Sequence, residues 1–480
     1  MPQQNSRASQ TASGQHCDFD VIVIGAGPAG ENAADYATRQ GLKAAIVESE
    51  LVGGECSYWA CMPSKALLRS GDALRAARRV PGAREAVTGA MDPEAVLARR
   101  DAFTSNWDDA GQERWLRSAG IELIRGRARL SGRGLVQVAD REYSARAVVL
   151  ATGSTPVLPG IEGLAEARPW GTREATAAKA IPPRLAIIGG GVAGVELAFA
   201  FASLGSKVTI LARGSLLGRE EPFAGELVAQ SLAEAGVVVH QDTTPLQVHR
   251  DEHGIAGLQL PGGSLVEAEE VLVSTGRRPD IGNLGLEALG VDPSRRLQVD
   301  DTMLVAGADW LYAVGDASGR SPLTHQGKYQ ARAAGEAIAA RINGTGVLDA
   351  PWGRHAATAD HHAVPRVVFS DPQIAAVGLT ERQARDAGLQ ISVIEHDLGA
   401  VAGASLHADG YSGLAKLVID QARSVIVGAT FAGQDAAELL HAATIAIVGE
   451  VSLDRLWHAV PAYPTISEIW LRLLEALRFG

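Results

Sequence analysis

Apolar positions along this chain fall into short β-branched runs that stop at glycine and are followed by stretches of helical period. FDVIVI (19–24) is nearly continuous in apolar residues and reads as a strand buried on both faces. The loop Gly25-Ala26-Gly27-Pro28-Ala29-Gly30 follows it, then a helix from about residue 31 to 39, then the strand KAAIVE (43–48), which ends in Glu48. The pattern returns with a strand at 184–188, the turn Gly189-Gly190-Gly191-Val192-Ala193-Gly194, a helix over 195–204 and a strand at 207–211. Two complete strand–glycine turn–helix–strand units make an internal repeat of the dinucleotide-binding kind.

Between the units, residues 69–119 are rich in Ala, Arg and Leu and predict helix, while AVVLATG (147–153) predicts a strand ending in a turn. The proline-bearing stretch 161–183 reads as a crossover. A strand and turn are expected over 272–280 and a strand ending in an acid over 311–316, with a long Ala-rich helix over 327–342. Residues 343–363 have little apolar pattern and mark a boundary, beyond which strands such as 415–419 and helices such as 436–448 predict a separate α+β unit.

Composition narrows the class. A chain of 480 residues exceeds one hydrophobic core, so two to four domains are expected. The 54 glycines suit turns where backbone approaches a ligand. A net charge of −11 argues against nucleic acid or an anionic membrane as partner, and no apolar run reaches spanning length. The polar stretch 1–17 is expected to be a disordered tail without a targeting core, so a reducing cytoplasm is the expected location. Only three cysteines are present, which argues against a disulfide framework or a four-cysteine metal site; no metal is expected.

The chemistry concentrates in three places. In the first loop, Gly25, Gly27 and Gly30, with Pro28 and Ala29 between them, allow backbone N–H groups to reach a pyrophosphate, and Glu48 is placed to accept from a ribose. In the second unit, Gly189, Gly191 and Gly194 repeat the turn, but Ala212 stands where an acid would favour an unphosphorylated ribose. Arg213 and Arg219 follow, and two guanidiniums suit a 2′-phosphate, so NADPH is expected over NADH. The third place is GGECSYWACMPSK (53–65), where Cys56 and Cys61 suggest a centre that cycles between disulfide and dithiol. A disulfide needs Cα atoms about 4.4–6.8 Å apart, whereas five residues of ideal helix rise about 7.5 Å. The segment is therefore expected to be distorted, with Cys56 in a turn permitted by Gly53 and Gly54, and a helix start that favours thiolate.

These motifs, together with ATGS (151–154), GGGVAGVE (189–196), TGRRPD (275–280), AVGD (313–316), FSDPQIAAVGLTE (369–381) and AYPTISE (462–468), resemble those of the FAD-dependent pyridine nucleotide-disulfide oxidoreductases. That is the group of dihydrolipoamide dehydrogenase, glutathione reductase and mercuric reductase, and the resemblance covers about residues 18–479. It implies an α/β fold: two Rossmann-like dinucleotide-binding domains and a C-terminal α+β dimerisation domain. In these terms the FAD-binding domain spans 18–157, the NAD(P)-binding domain 158–274, a central domain completing the FAD site 275–346, and the interface domain 347–480. It also implies a homodimer with an active site shared across subunits. Cofactor contacts are expected from Gly54, Lys65, Ala151, Thr152, Gly153, Gly276, Gly315 and Asp316, the last as the acid that bonds the flavin ribityl chain. Lys65 and Glu196 match the ion pair beside the flavin, Cys61 the flavin-proximal thiolate and Cys56 the exchange thiol.

One departure bears on function. Disulfide-reducing members carry a His-Pro whose imidazole, presented across the dimer, serves the exchange thiol; here Tyr463 takes that position and Glu468 remains. A phenol with a pKa near 10 is a poor base at neutral pH. His458 is an alternative base, otherwise a packing or surface residue; His325, at the start of the helix after Asp316, is expected near the flavin pyrimidine end or in a plain helix-start role. His361 and His362 are expected in a solvated loop, and Tyr58 and Trp59 to pack or to face an aromatic acceptor. The expected activity is NADPH-dependent FAD oxidoreduction through Cys56–Cys61 to a small-molecule acceptor, namely a quinone, a metal ion or an unusual disulfide. The alternatives are a dihydrolipoamide dehydrogenase-like thiol-disulfide reductase, and a flavin redox sensor without significant turnover.

Overall fold

A computed structural model describes residues 17–479, so the expected disordered tail lies, but for Cys17, outside the described residues. The first strand, β1 (Phe19–Ile24), sits inside a parallel sheet between β2 (Ala44–Glu48) and the strand Arg141–Leu150. Val21 and Val23 enter one core, with Ile46 and Val149, while Ile22 and Ile24 enter the opposite one, with Val47 and Val148. Side chains alternate across a strand, so burial of both faces requires the unbroken apolar run seen in the sequence. Glu122–Arg125 pairs beyond β2, and Leu311–Ala313 pairs in parallel with Arg141–Leu150. Residues far along the chain thus complete the first sheet. The helix α1 (Pro28–Arg39) starts three residues earlier than expected, with Pro28 in its first turn, where a missing N–H costs nothing.

The second unit forms a four-stranded parallel sheet ordered Val238–His240, Lys207–Leu211, Arg184–Ile188, Glu270–Val273. Of the expected strand and turn over 272–280, the strand is Glu270–Val273, which closes this sheet, and the turn leads into a second short strand, Arg277–Pro279, which pairs with Ser154–Pro156. Gly276, at φ +128°, breaks the run. The stretch 69–119 is also interrupted, one helix ending at Arg78 and another restarting at Pro93.

The C-terminal unit is a five-stranded antiparallel sheet ordered Arg366–Val368, Gln373–Gly378, Val425–Gly433, Leu414–Asp420, Ile391–Asp397, with helices against it. The mixed α/β architecture is that expected. The Ala-rich helix is Thr324–Ile342, beginning before the expected residue 327 because Thr-His-Gln carries no apolar period. It lies on α1 so closely that a Cβ at Gly335 would meet Tyr36 Cβ at 2.8 Å. Among the described residues no helix is long and apolar enough to cross a membrane.

Candidate functional site

The cysteine segment folds as two helices joined by a kink. The short helix α2 (Gly54–Tyr58) carries Cys56, and α3 (Cys61–Arg78) opens with Cys61. Trp59 (φ −139°, ψ 2°) and Ala60 (φ −135°, ψ −96°) leave helical geometry between them. The required distortion therefore lies after Cys56, which sits in a helix of its own rather than in the expected turn. Gly53 and Gly54 place that helix: both have positive φ, and a Cβ on Gly54 would stand 2.7 Å from Gly27 Cα. The redox segment and the first glycine loop thus touch backbone to backbone.

Thr324 Oγ1, at the start of Thr324–Ile342, lies 3.3 Å from each of the two sulfurs. Both thiols are free, and they hydrogen-bond each other. That bond, helped by Thr324 and the Lys65 ammonium against the cost of burial, lowers the Cys61 thiol to about 6. The same bond and burial push the Cys56 thiol far up. Of the two, Cys61 is thus the sulfur that favours the thiolate and Cys56 the one that favours the thiol. Lys65 lies one turn along α3 from Cys61, and its Nζ is 2.7 Å from Glu196 Oε2. Glu196 is buried, and its second oxygen accepts from Phe369 N at 3.0 Å.

The loops around this pair fit dinucleotides. Gly25 has φ +101°, and a Cβ there would collide with Ala151 O; Gly30 is similarly packed on Gly25. Glu48 turns its carboxylate into the loop, accepting from Ala26 N at 2.8 Å and Glu50 N at 2.7 Å. Thr152 Oγ1 is buried without a hydrogen-bond partner, the one such atom beside this loop among the described residues. Buried hydroxyls are rarely left unpaired, so an FAD polar group has a place to bond. Pro28 and Ala29 lie over the start of α1, Gly153 has open space above it, and Gly315 packs on Ala29. Asp316 accepts from Ser154 Oγ at 2.5 Å. Burial also pushes the Glu31 carboxyl, in the first turn of α1, up to about 7, with Lys328 opposing and Glu48 adding to the shift.

In the second unit Gly189 N donates to Leu211 O at 2.9 Å, and Gly189 and Gly194 have no room for a Cβ, whereas Gly191 and Gly276 face open space. Arg213 and Arg219 are exposed and enter no ion pair among the described residues. None of the remaining candidates hydrogen-bonds a sulfur within this chain among the described residues. Tyr463 is 76% exposed. Glu468 is buried against Arg472 at 2.6 Å, with its other oxygen unpartnered. His458 is exposed, and His325 is within 2.8 Å of Pro365 O. His361 and His362 are exposed, as expected, but lie on the short helix Ala359–His362 rather than in a loop, with His361 2.7 Å from Asp301 Oδ1. Tyr58 is buried, donating to Val52 O, and Trp59 lies under the Arg173 guanidinium at 4.0 Å.

The sequence reading passed over Thr324, Glu55, Arg173 and Arg277. Their only local signal was weak: an acid immediately before Cys56, and two arginines in a turn.

A family model described as "Pyridine nucleotide-disulphide oxidoreductase" matches residues 19–333, and its dimerisation-domain counterpart matches 364–473. A dihydrolipoyl dehydrogenase of Chlorobaculum tepidum is 34% identical over 474 residues, covering 96% of this chain and 97% of that protein. A glutathione reductase of Burkholderia cepacia is 31% identical, with 96% and 99% covered. A mercuric reductase of Streptomyces lividans is 32% identical, with 94% and 95% covered. Among solved structures, the HOCl-induced flavoprotein disulfide reductase RclA of Escherichia coli superposes with a TM-score of 0.81 over 95% of this chain and 99% of that one. At 24% identity this likeness speaks for the fold alone.

Proposed function

The chain belongs to the FAD-dependent pyridine nucleotide-disulphide oxidoreductases, and from that premise we propose that it carries two electrons from NADPH to a Cys56–Cys61 disulfide and on to a small-molecule acceptor. The observation that carries this reading is Thr324 set between both sulfurs, with the Lys65–Glu196 pair one helical turn away. FAD would be held by the Gly25–Gly30 loop, Glu48, Thr152 and Asp316, and when bound it supplies two-electron chemistry between nicotinamide and disulfide. NADPH would be held by the Gly189–Gly194 turn, with Arg213 and Arg219 on its 2′-phosphate.

The protein's own groups complete the proton balance. Opening the disulfide takes two electrons and, at neutral pH, one proton. Cys61 leaves as thiolate because its charge is met by Cys56, Thr324 and Lys65, and Cys56 takes the proton. Glu196 holds Lys65 in place through a short, shielded ion pair. An acceptor such as a quinone then takes the two electrons with the Cys56 proton and one further proton from solvent, and the Cys56–Cys61 bond re-forms. At the position from which the family presents an imidazole across the dimer, Tyr463 offers only a phenol, so acceptors that need no base at Cys56 are favoured. The family's dimerisation domain over 364–473 supports a homodimer, and the exposed Val460 and Tyr463 suit a partner's surface.

The test is a panel of quinones, metal ions, lipoamide and glutathione disulfide with NADPH and the flavin-loaded protein. A quinone or metal ion is expected to turn over fastest. If a disulfide outpaces every quinone and metal ion, the acceptor reading fails and a dihydrolipoamide-type reductase takes its place, the alternative favoured by the name of the relative at 34% identity. Anaerobic NADPH that leaves the flavin oxidised would instead identify a sensor.

A further inference from the structure

The five-residue helix bearing Cys56 is too short to hold its own shape. It is gripped from outside at both ends. At its start, Glu55 Oε2 accepts from Arg277 at 2.6 Å, and Glu55 Oε1 lies 3.4 Å from Arg173. Arg277 also donates through Nε to Ser154 Oγ at 2.8 Å, and Ser154 bonds Asp316. At its end, the Arg173 guanidinium covers the Trp59 ring at 4.0 Å, and Thr176 Oγ1 donates to Trp59 O at 2.8 Å. Arg173 and Thr176 share the helix Thr172–Thr176, and Arg277 opens the strand Arg277–Pro279; both lie beside strands of the second nucleotide unit.

We propose that Glu55, held by Arg277 and Arg173, is a positioning residue that fixes Cys56 against Cys61 and thereby sets the balance between disulfide and dithiol. The inference rests on the reading of Cys56–Cys61 as a redox pair. Each ion pair alone is partly exposed and weak. Together with the stacked Trp59 and the bonded kink carbonyl, they restrict the helix, and restriction raises the effective concentration of one thiol at the other. Loosening the grip should therefore favour the dithiol.

The experiment equilibrates the flavin-loaded protein in graded mixtures of reduced and oxidised glutathione, quenches with alkylating agent and counts the Cys56–Cys61 disulfide by mass spectrometry. The exchange is balanced: the dithiol plus glutathione disulfide gives the protein disulfide plus two glutathione thiols. At the buffer where the wild type is half oxidised, Glu55→Gln and Arg277→Gln should each lower the disulfide-to-dithiol ratio about tenfold, which is about 30 mV for a two-electron couple. The double substitution should go little further, because both remove the same contact. Arg277→Lys, which keeps a charge opposite Glu55, should recover most of the ratio. Arg354→Gln, which breaks a remote pair with Glu336, should leave it unchanged. Ratios within twofold of wild type in both single variants, or additive losses in the double, overturn the proposal. If the wild type itself forms no reversible Cys56–Cys61 bond, the redox reading fails instead.

Discussion

The choice of nicotinamide cofactor is the most direct expectation to measure. Arg213 and Arg219 follow the strand Lys207–Leu211, whose last residue bonds Gly189 of the second glycine turn. Ala212 packs beneath that turn; a Cβ on Gly190 would lie 2.8 Å from Ala212 Cβ. Position 212 itself therefore brings no carboxylate to repel a phosphate or to bond a free ribose. Because neither arginine is paired or buried, binding a 2′-phosphate breaks no ion pair and desolvates little. A charge-assisted hydrogen bond contributes about 1.5–3 kcal/mol when sheltered, and exposure argues for the lower end. At about 1.5 kcal/mol each, Arg213→Ala or Arg219→Ala should lower kcat/KM for NADPH at least about tenfold, and the double variant at least about a hundredfold. Contact-range charges survive physiological salt, whose screening length is about 8 Å. Initial rates with NADPH and NADH, at one ionic strength and with one quinone, give the comparison. NADH values should stay within about twofold, since the lost groups meet only the 2′-phosphate. A double variant that keeps its full NADPH rate, or a wild type that uses NADH equally well, would refute the reasoning.

Three further outcomes follow from the same geometry. In the reduced protein the Cys61 thiolate should be present above about pH 6 and lost below it; Cys56→Ala removes the main hydrogen bond and should raise that midpoint toward the ordinary thiol value of about 8.5, read by the pH dependence of Cys61 alkylation. An unmoved midpoint would show that Cys56 does not hold the thiolate. Lys65→Met strands the buried Glu196 with one N–H partner and should cost about 3 kcal/mol, seen as a lower Tm, while Lys65→Met/Glu196→Gln should recover part of it; equal melting of single and double variants would contradict a coupled pair. Tyr463→His should raise lipoamide or glutathione disulfide turnover about a hundredfold at neutral pH if the missing base is what limits it, and no gain would place the limit elsewhere.

Much of this molecule is local and so was legible in its residues. A strand buried on both faces must be apolar throughout, a turn at φ +101° or +128° calls for glycine, and proline opens a helix readily; FDVIVI, Gly25, Gly189 and Pro28 therefore announced both nucleotide units. The spacing of Cys56 and Cys61 also required a break in the helix, though not its place. Where that break falls was decided by packing: Trp59 and Ala60 leave the helix under Arg173 and Thr176, so Cys56 keeps a helical turn of its own. Thr324 reaches the sulfurs from 268 residues beyond Cys56, and Arg277 reaches Glu55 across 222. Neither position says in the chain which side chain it will meet, because their partners are chosen by how sheets and helices stack rather than by neighbours in sequence. The sequence by itself supplied the parts and the backbone turns that admit them; the tertiary structure alone decided which distant side chains close on the sulfur pair.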